Sequence, residues 1–412
     1  MNDGFHCRSC GSSEGQLVLD LGIQPLANNL LREEDLAKSE PRFPLRVAVC
    51  CRCWMLQITD IVPPVELFSE YLYFSSFSDA LLKHAALAAS THATRFGLGT
   101  GSLVIEIASN DGYLLKNFVE SGIPCLGIEP ATNIAKVAQE KGIPTLNRFF
   151  GAELVAELLQ EGRQADLILG NNVFAHVPDI NGFVAGLGAL LKPGGRAVLE
   201  FPYACDLVEH LEFDTVYHEH VFYFTLTALR PLFNRHGMEV FDVERLAIHG
   251  GSLRLTAGRM GQHPVSPSVL ALLAEEVKKG VNTPKYYDDF GARVTGLRDD
   301  LLELLHRLNA EGRRVAAYGA SAKGSTLLNY YGIGRRGLDC LEFVADRSTA
   351  KQGRLTPGSH LPIVSADSLA ERQPDYALLL TWNFAEEILK QQQGFRDKGG
   401  RFILPLPEVR VV

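Results

Sequence analysis

Residues 102–122 read "SLVIEIASNDGYLLKNFVESG": an apolar run broken by one carboxylate, a turn of small and polar residues, then an amphipathic segment. An apolar run of strand length, Ser-Asn-Asp-Gly, and helical spacing read as strand, tight turn, helix. The scheme recurs at 124–142, "PCLGIEPATNIAKVAQEKG", where the strand ends on Glu129. A third block, 165–202, "ADLILGNNVFAHVPDINGFVAGLGALLKPGGRAVLEFP", supplies two further strands around another helix. Strands alternating with helices argue for a doubly wound parallel sheet, with its ligand at the carboxyl ends of the strands.

The first turn lacks G-x-G-x-x-G, so the dinucleotide fingerprint is missing. The pattern instead resembles class I S-adenosylmethionine-dependent methyltransferases. That resemblance implies a turn of Glu106, Ala108, Ser109, Asn110, Asp111 and Gly112 around the methionine portion of the cofactor. It also implies that Glu129 accepts hydrogen bonds from both ribose hydroxyls, a role suited to a group that accepts without donating. Asn171 and Asn172, in "NNVFAHV", fall where such enzymes close the cofactor pocket, and "LKPGG" is a common turn of the class. On its residues alone, Glu106 can also be read as simply capping the turn's amides.

A second α/β unit lies near the C-terminus. A charged, leucine-spaced stretch, "LRDDLLELLHRLNAEG", reads as a helix leading into it. "RRVAAYGASAKGSTLLNYYGI" (313–333) then gives a strand, a small-residue turn and a helix, and "LEFVADRS", "DYALLLTWNF" and "RFILPLPEV" read as three more buried strands. The turn, with Ser321, Lys323 and Gly324, offers backbone N–H groups, a helix N-terminus and a point charge, which suit a phosphate. It is not a Walker A loop, and the bland alternative is a packing turn with a surface lysine.

Five of the eight cysteines lie in the first 53 residues, as "CRSC" and "CCRC". Two C-x-x-C knuckles offer four thiolates, Cys7, Cys10, Cys50 and Cys53, for a tetrahedral Zn²⁺, with Cys51 left over. A closed four-thiolate site has no position for substrate, so the expected role is structural. The chain has 412 residues, 46% hydrophobic and 21% charged, which suits two or three soluble domains. A net charge of -8 argues against nucleic acid or an anionic membrane as main partner. With no signal-like start and no apolar stretch of about 20 residues, the expected location is the cytoplasm. The organisation expected is α/β: a zinc-binding lobe (1–75), a methyl-donor domain (76–290) and a C-terminal Rossmann-like domain (291–412), the simplest case being a monomer.

Between the two α/β units stands "FDTVYHEHVFYFT", residues 213–225. Zinc knuckles, a methyltransferase core bearing "YHEHV", then "IHGGSLR" and "YGASAKG" together resemble the sugar C-methyltransferases that act on dTDP-linked 4-keto-deoxyhexoses. The match spans essentially the whole chain, in order. It implies a C-methylation, at C-3 of such a sugar nucleotide, with His220 as base and Tyr217 and Glu219 beside it. His176 would reach the same pocket and hold the C-4 oxygen, and Tyr71 or Tyr73 would close it from the zinc lobe, the choice between them left open. His249 and Arg254 are candidates for the substrate side, Arg254 as a phosphate clamp, against a tight bend with a structural arginine. The chemistry agrees: a ketone acidifies the neighbouring carbon, and an imidazole titrating near neutrality suits the proton removal. His218 and His220 would share a face on a strand and diverge on a helix. A metal bound by "HEH", an O- or N-methyltransferase, and a zinc-ribbon RNA-binding protein are the rival readings.

Overall fold

The computed structural model describes residues 5–68, 75–77, 79–335 and 337–412. Three sheets organise them. The central one has seven strands in the order Met238–Leu246, Ser252–Arg259, Leu191–Pro202, Ala165–Asn171, Val104–Ile107, Cys125–Ile128, Thr145–Leu146. The five strands from Leu191–Pro202 to Thr145–Leu146 run parallel, and Ser252–Arg259 is inserted antiparallel beside them. Parallel strands need helical crossovers; here they are Leu115–Glu120, Thr132–Glu140, Ala152–Gln160 and Ile180–Leu190, each with an apolar face turned to the sheet. Val104–Ile107 is buried at all four positions, as expected for a strand covered on both faces.

The C-terminal sheet has six strands, Ile363–Ser365, Val344–Asp346, Val315–Tyr318, Tyr376–Leu379, Arg401–Leu404 and Arg410–Val411, parallel except for the last. Its order reverses around Val315–Tyr318, so the turn after that strand lies at a switch point. The charged stretch ahead of it forms a helix, Phe290–Ala310, whose buried residues are Phe290, Val294, Leu297, Leu301, Leu304, Leu305 and Leu308. That stripe at helical spacing explains its place against the core.

The third sheet belongs to the zinc lobe: Gly15–Pro25, Arg42–Cys50 and Leu56–Ile58, all antiparallel. Its fourth strand, Phe222–Tyr223, comes from far along the chain, two residues past His220. The lobe also reaches the C-terminal unit, through a Leu31–Leu355 bridge and a Glu40 carboxylate that accepts from the Gly358 N–H at 2.8 Å. The "FDTVYHEH" segment is therefore held by all three units.

Candidate active site

In the zinc lobe the two knuckles converge as their spacing predicts. Sγ of Cys7 lies 3.5 Å from that of Cys53, Sγ of Cys10 lies 3.6 Å from that of Cys50, and all four sulfurs fall within 4.8 Å of one another. A tetrahedron with Zn–S of about 2.3 Å has edges of about 3.8 Å, so the donors fit Zn²⁺. These separations are far too long for disulfides, and all eight cysteines are free. Cys51 stands apart. Among the described residues, this is the cluster able to hold a metal; the "HEH" reading finds no counterpart.

The ligand cavity, about 680 Å³, opens at the carboxyl ends of the central strands and is bounded on its far side by the C-terminal unit. Its volume is that of a small-molecule site. Three non-glycine residues of its wall have left-handed backbones: Ala108 (φ 54°), Asn110 (φ 49°) and Asn172 (φ 54°). Such conformations cost about 1–3 kcal/mol each and concentrate at functional sites. Gly112 (φ 78°) completes the first turn, and a Cβ there would strike Ile143.

Glu129 projects into the cavity from the end of the second strand, 5% exposed. Its Oε2 accepts from the Asn110 N–H at 2.9 Å and its Oε1 from the Ala131 N–H at 2.8 Å. Burial raises its pKa while these two bonds pull it down. Each oxygen keeps a second lone pair for a vicinal diol, so the chemistry fits a ribose. Asn171 and Asn172 line the same wall. Other residues of the expected turn do not. Asp111 is buried and its carboxylate is tied to Lys141 Nζ at 2.8 Å; Ser109 packs against Gly127, and Gly112 against Ile143. Glu106 is 1% exposed beneath the turn, where burial, then Glu129 and Asp111, hold its carboxyl protonated well above the usual range. Its buried Oε2 has no hydrogen-bond partner among the described residues, so it is a packed acid under the turn that does not line the cavity.

On the opposite wall stand Tyr217, His220, His176 and Thr215. Residues 217–220 form a turn, neither strand nor helix, so the two histidines part. His218 packs edge-on to Phe43 and bonds the Pro44 carbonyl at 3.2 Å, in the zinc lobe. His220 faces the cavity. Its Nδ1 lies 2.8 Å from the Thr215 carbonyl oxygen, which can only accept, so the proton sits on Nδ1. Nε2 is then the lone-pair nitrogen, and the Tyr217 hydroxyl donates to it at 2.8 Å. The His176 ring stands edge-on to His220, centroids 4.8 Å apart. Burial pushes His176 down to about 4, so at neutral pH it is an uncharged imidazole. Glu219 lies behind the wall, its Oε1 accepting from Asn28 Nδ2 at 2.6 Å. Tyr71 and Tyr73 fall outside the described residues, as does the side chain of His249.

The C-terminal unit contributes Ser321 and Lys323. Ser321 caps its helix, Ala322–Tyr331, accepting from the Gly324 N–H at 3.0 Å. That bond consumes one donor expected for a phosphate, and a Cβ on Gly324 would collide with Leu380, so this glycine serves packing. The Lys323 ammonium is buried 4.7 Å over the Trp382 ring and interacts with Asp214 and Glu212. Burial lowers its pKa against the pull of the Asp214 and Glu212 charges, and its Nζ has no hydrogen-bond partner among the described residues. Arg254, expected to clamp a phosphate, is spent on Glu200 and Glu244, each at 2.7 Å, and does not line the cavity. Gly250 (φ 94°) and Gly251 (φ 137°) let the chain pass against Glu212, Trp382 and Asp206, where Cβ atoms would clash, rather than admit a ligand. Sequence reasoning missed Asn28, Thr215, Phe149 and Lys351 on the wall. None carries a motif of its own, and Asn28 and Lys351 arrive only through domain packing.

A seven-stranded sheet of this order, a left-handed turn after its first strand, a cavity-lining carboxylate ending its second and a four-cysteine cluster define a zinc-bearing S-adenosylmethionine-dependent methyltransferase. Comparison with known families agrees: a zinc binding domain matches residues 7–68, a methyltransferase domain 81–243, and a C-methyltransferase C-terminal domain 247–407. C-methyltransferase NovU of Streptomyces niveus is 40% identical over 407 residues, 98% of this chain and 96% of that one. Ubiquinone biosynthesis O-methyltransferase of Rhodopseudomonas palustris (strain BisA53) is 32% identical over only 102 residues, 24% of this chain and 39% of that one. Among solved structures, magnesium protoporphyrin IX methyltransferase of Synechocystis PCC 6803 with bound SAM covers 43% of this chain and 81% of its own. At 15% identity and a TM-score of 0.33 that likeness is too slight to argue from. The chain belongs to the C-methyltransferase family that includes NovU.

Proposed function

We propose that the protein methylates C-3 of a dTDP-linked 4-keto-deoxyhexose through an enolate generated by His220. The observation that carries this reading is the state of His220: Nδ1–H fixed on the Thr215 carbonyl, and the lone pair left on Nε2, in a ring lining the cavity that Glu129 also lines. Carbon methylation needs a carbon nucleophile, and a base beside a ketone makes one. When bound, S-adenosylmethionine supplies a methyl group on a sulfonium centre. Glu129, with the Asn110 and Asn172 turns, would hold its nucleoside. Nε2 takes the C-3 proton, and the electron pair it leaves delocalises onto the C-4 oxygen. His176, uncharged, donates a hydrogen bond to that oxygen without itself giving up a proton. Tyr217, displaced from Nε2 as the imidazolium forms, can turn its hydroxyl to the enolate. Proton transfer of this kind contributes about 10²–10⁴-fold.

The sugar nucleotide would lie across the cavity toward Ser321 and the C-terminal unit, with Tyr71 or Tyr73 closing the site. Among the described residues no helix is long and apolar enough to cross a membrane. The test is to supply a dTDP-4-keto-2,6-dideoxyhexose and methyl-labelled S-adenosylmethionine, then locate the label by NMR. Label on C-3, with the C-3 proton signal gone, is the expected product. Label on oxygen or nitrogen refutes the proposal.

A further inference from the structure

The nitrogen of His220 that faces away from the cavity depends on one carbonyl, and that carbonyl belongs to a segment gripped from outside its own domain. Phe213–Thr215 is a single 3-10 turn, followed by Val216. The C-terminal unit contacts three of these four residues. The Phe213 ring stacks on Tyr331, centroids 5.3 Å apart and 23° between planes. The Asp214 carboxylate, fully buried, accepts from Trp382 Nε1–H at 2.7 Å. The Val216 carbonyl accepts from the Thr326 hydroxyl at 3.0 Å. Thr215, between the last two, spends its own hydroxyl on the Glu212 carbonyl at 2.7 Å and offers its carbonyl to His220. Neither Trp382 nor Thr326 lines the cavity.

We infer that Trp382 and Thr326 are positioning residues: bracketing Thr215 from the C-terminal unit, they hold His220 in the tautomer whose Nε2 carries the lone pair. The turn has two helical hydrogen bonds of its own, Thr215 N–H to Glu212 O and Val216 N–H to Phe213 O, both at 3.0 Å, and the C-terminal unit adds a bond on either side of Thr215. A buried indole N–H on a carboxylate is a strong, directional hydrogen bond, and the Thr326 bond fixes the carbonyl of the next peptide along. The C-terminal unit therefore does more than bound the acceptor pocket; it sets the protonation geometry of a side chain in the neighbouring domain. The tautomer half of the inference stands on geometry alone. Its kinetic consequence rests on His220 being the base.

The test uses the full zinc-loaded chain with Trp382→Phe, Thr326→Val, and both together, each keeping ring or branch while deleting one donor. Imidazole ¹⁵N correlation spectra, without substrate, read which nitrogen of His220 carries the proton. Exchange of the C-3 proton into D₂O reads the base. The double variant is expected to lose the Nδ1–H signature and to slow C-3 exchange about tenfold or more, since a displacement of 1 Å can cost about 100-fold. Dissociation constants for S-adenosylhomocysteine and dTDP should stay within about twofold, and Thr326→Ser should restore the wild-type spectrum. The Nδ1–H signature and exchange rate unchanged in all three variants would overturn the inference. A lost signature with exchange unchanged would support the positioning and count instead against His220 as base. Should the double variant not fold, the single ones carry the same readings.

Discussion

Replacing Glu129 by glutamine changes one atom and should cost the protein most of its hold on the methyl donor. Both carboxylate oxygens already accept a backbone N–H, from Asn110 at 2.9 Å and Ala131 at 2.8 Å. An amide offers one acceptor, so its NH₂ must face either an amide donor or a ribose hydroxyl. Hydrogen bonds to charged groups contribute about 1.5–3 kcal/mol and neutral ones about 0.5–1.5. Losing one of two charged bonds to the ribose, with the other reduced to a neutral one, removes about 2–3 kcal/mol of binding. That is about 30- to 150-fold in Kd. The free protein also loses an amide bond, so its stability should fall by about 1–3 kcal/mol. Burial raises the pKa of Glu129, so the comparison is made on the alkaline side, at pH 8. Titration calorimetry with S-adenosylhomocysteine measures it, with Asp111→Asn as control, because that carboxylate is engaged by Lys141 away from the wall. A Glu129→Gln protein binding within threefold of wild type would refute the diol-acceptor reasoning.

Other consequences follow from the same contacts. Chelating the zinc, or Cys10→Ser, should lower methyl transfer together with melting temperature, because strand Leu56–Ile58 pairs with Phe222–Tyr223 just beyond His220; undiminished turnover in protein shown metal-free would contradict that coupling. Asn28→Ala removes the donor to Glu219 and should reduce kcat about tenfold without changing zinc content or S-adenosylhomocysteine affinity; an unaltered kcat would make that bond incidental. His92 is buried and held at about 4, chiefly by burial and then by Arg254. As pH falls below the ordinary value near 6.5, the unfolded chain takes up its proton first, so stability is lost between pH 6.5 and 4. The His92→Phe protein should lose about 2 kcal/mol less than wild type between pH 6.8 and 4.5 in denaturant titrations. Equal losses would show that His92 does not titrate in that window.

The fold was legible wherever the signal is local. Short apolar runs and the 3.6-period segments after them announced the strands Val104–Ile107, Cys125–Ile128, Ala165–Asn171 and Val315–Tyr318 with the helices that follow them. The zinc ligands were legible because two C-x-x-C knuckles are a local pattern with one chemistry. Functional turns were read less finely: "ASNDG" marks the place, yet backbone geometry alone decides that Ala108 and Asn110 face the cavity while Ser109 and Asp111 turn away. Arg254 and Lys323 show the same limit. A cation in a glycine-rich segment suggests a phosphate, but Glu200 and Glu244, distant in sequence, pair with Arg254, and Lys323 is buried over the Trp382 ring. His218 and His220 were indistinguishable by type, and only the turn at 217–220 sends one into the zinc lobe and the other to the cavity. Asn28, Trp382 and Thr326 act across domain boundaries, where no periodicity reports.

The central claim is that His220 removes a carbon-bound proton. Its most direct test follows the C-3 proton of a dTDP-4-keto-2,6-dideoxyhexose in D₂O by NMR, for wild type and His220→Asn, with S-adenosylhomocysteine in the cofactor site so that methylation cannot compete. The account predicts loss of the C-3 signal with wild type and its persistence with His220→Asn, at unchanged S-adenosylhomocysteine affinity. Equal exchange by the two proteins would contradict it, and would send the search for the base elsewhere on the cavity wall.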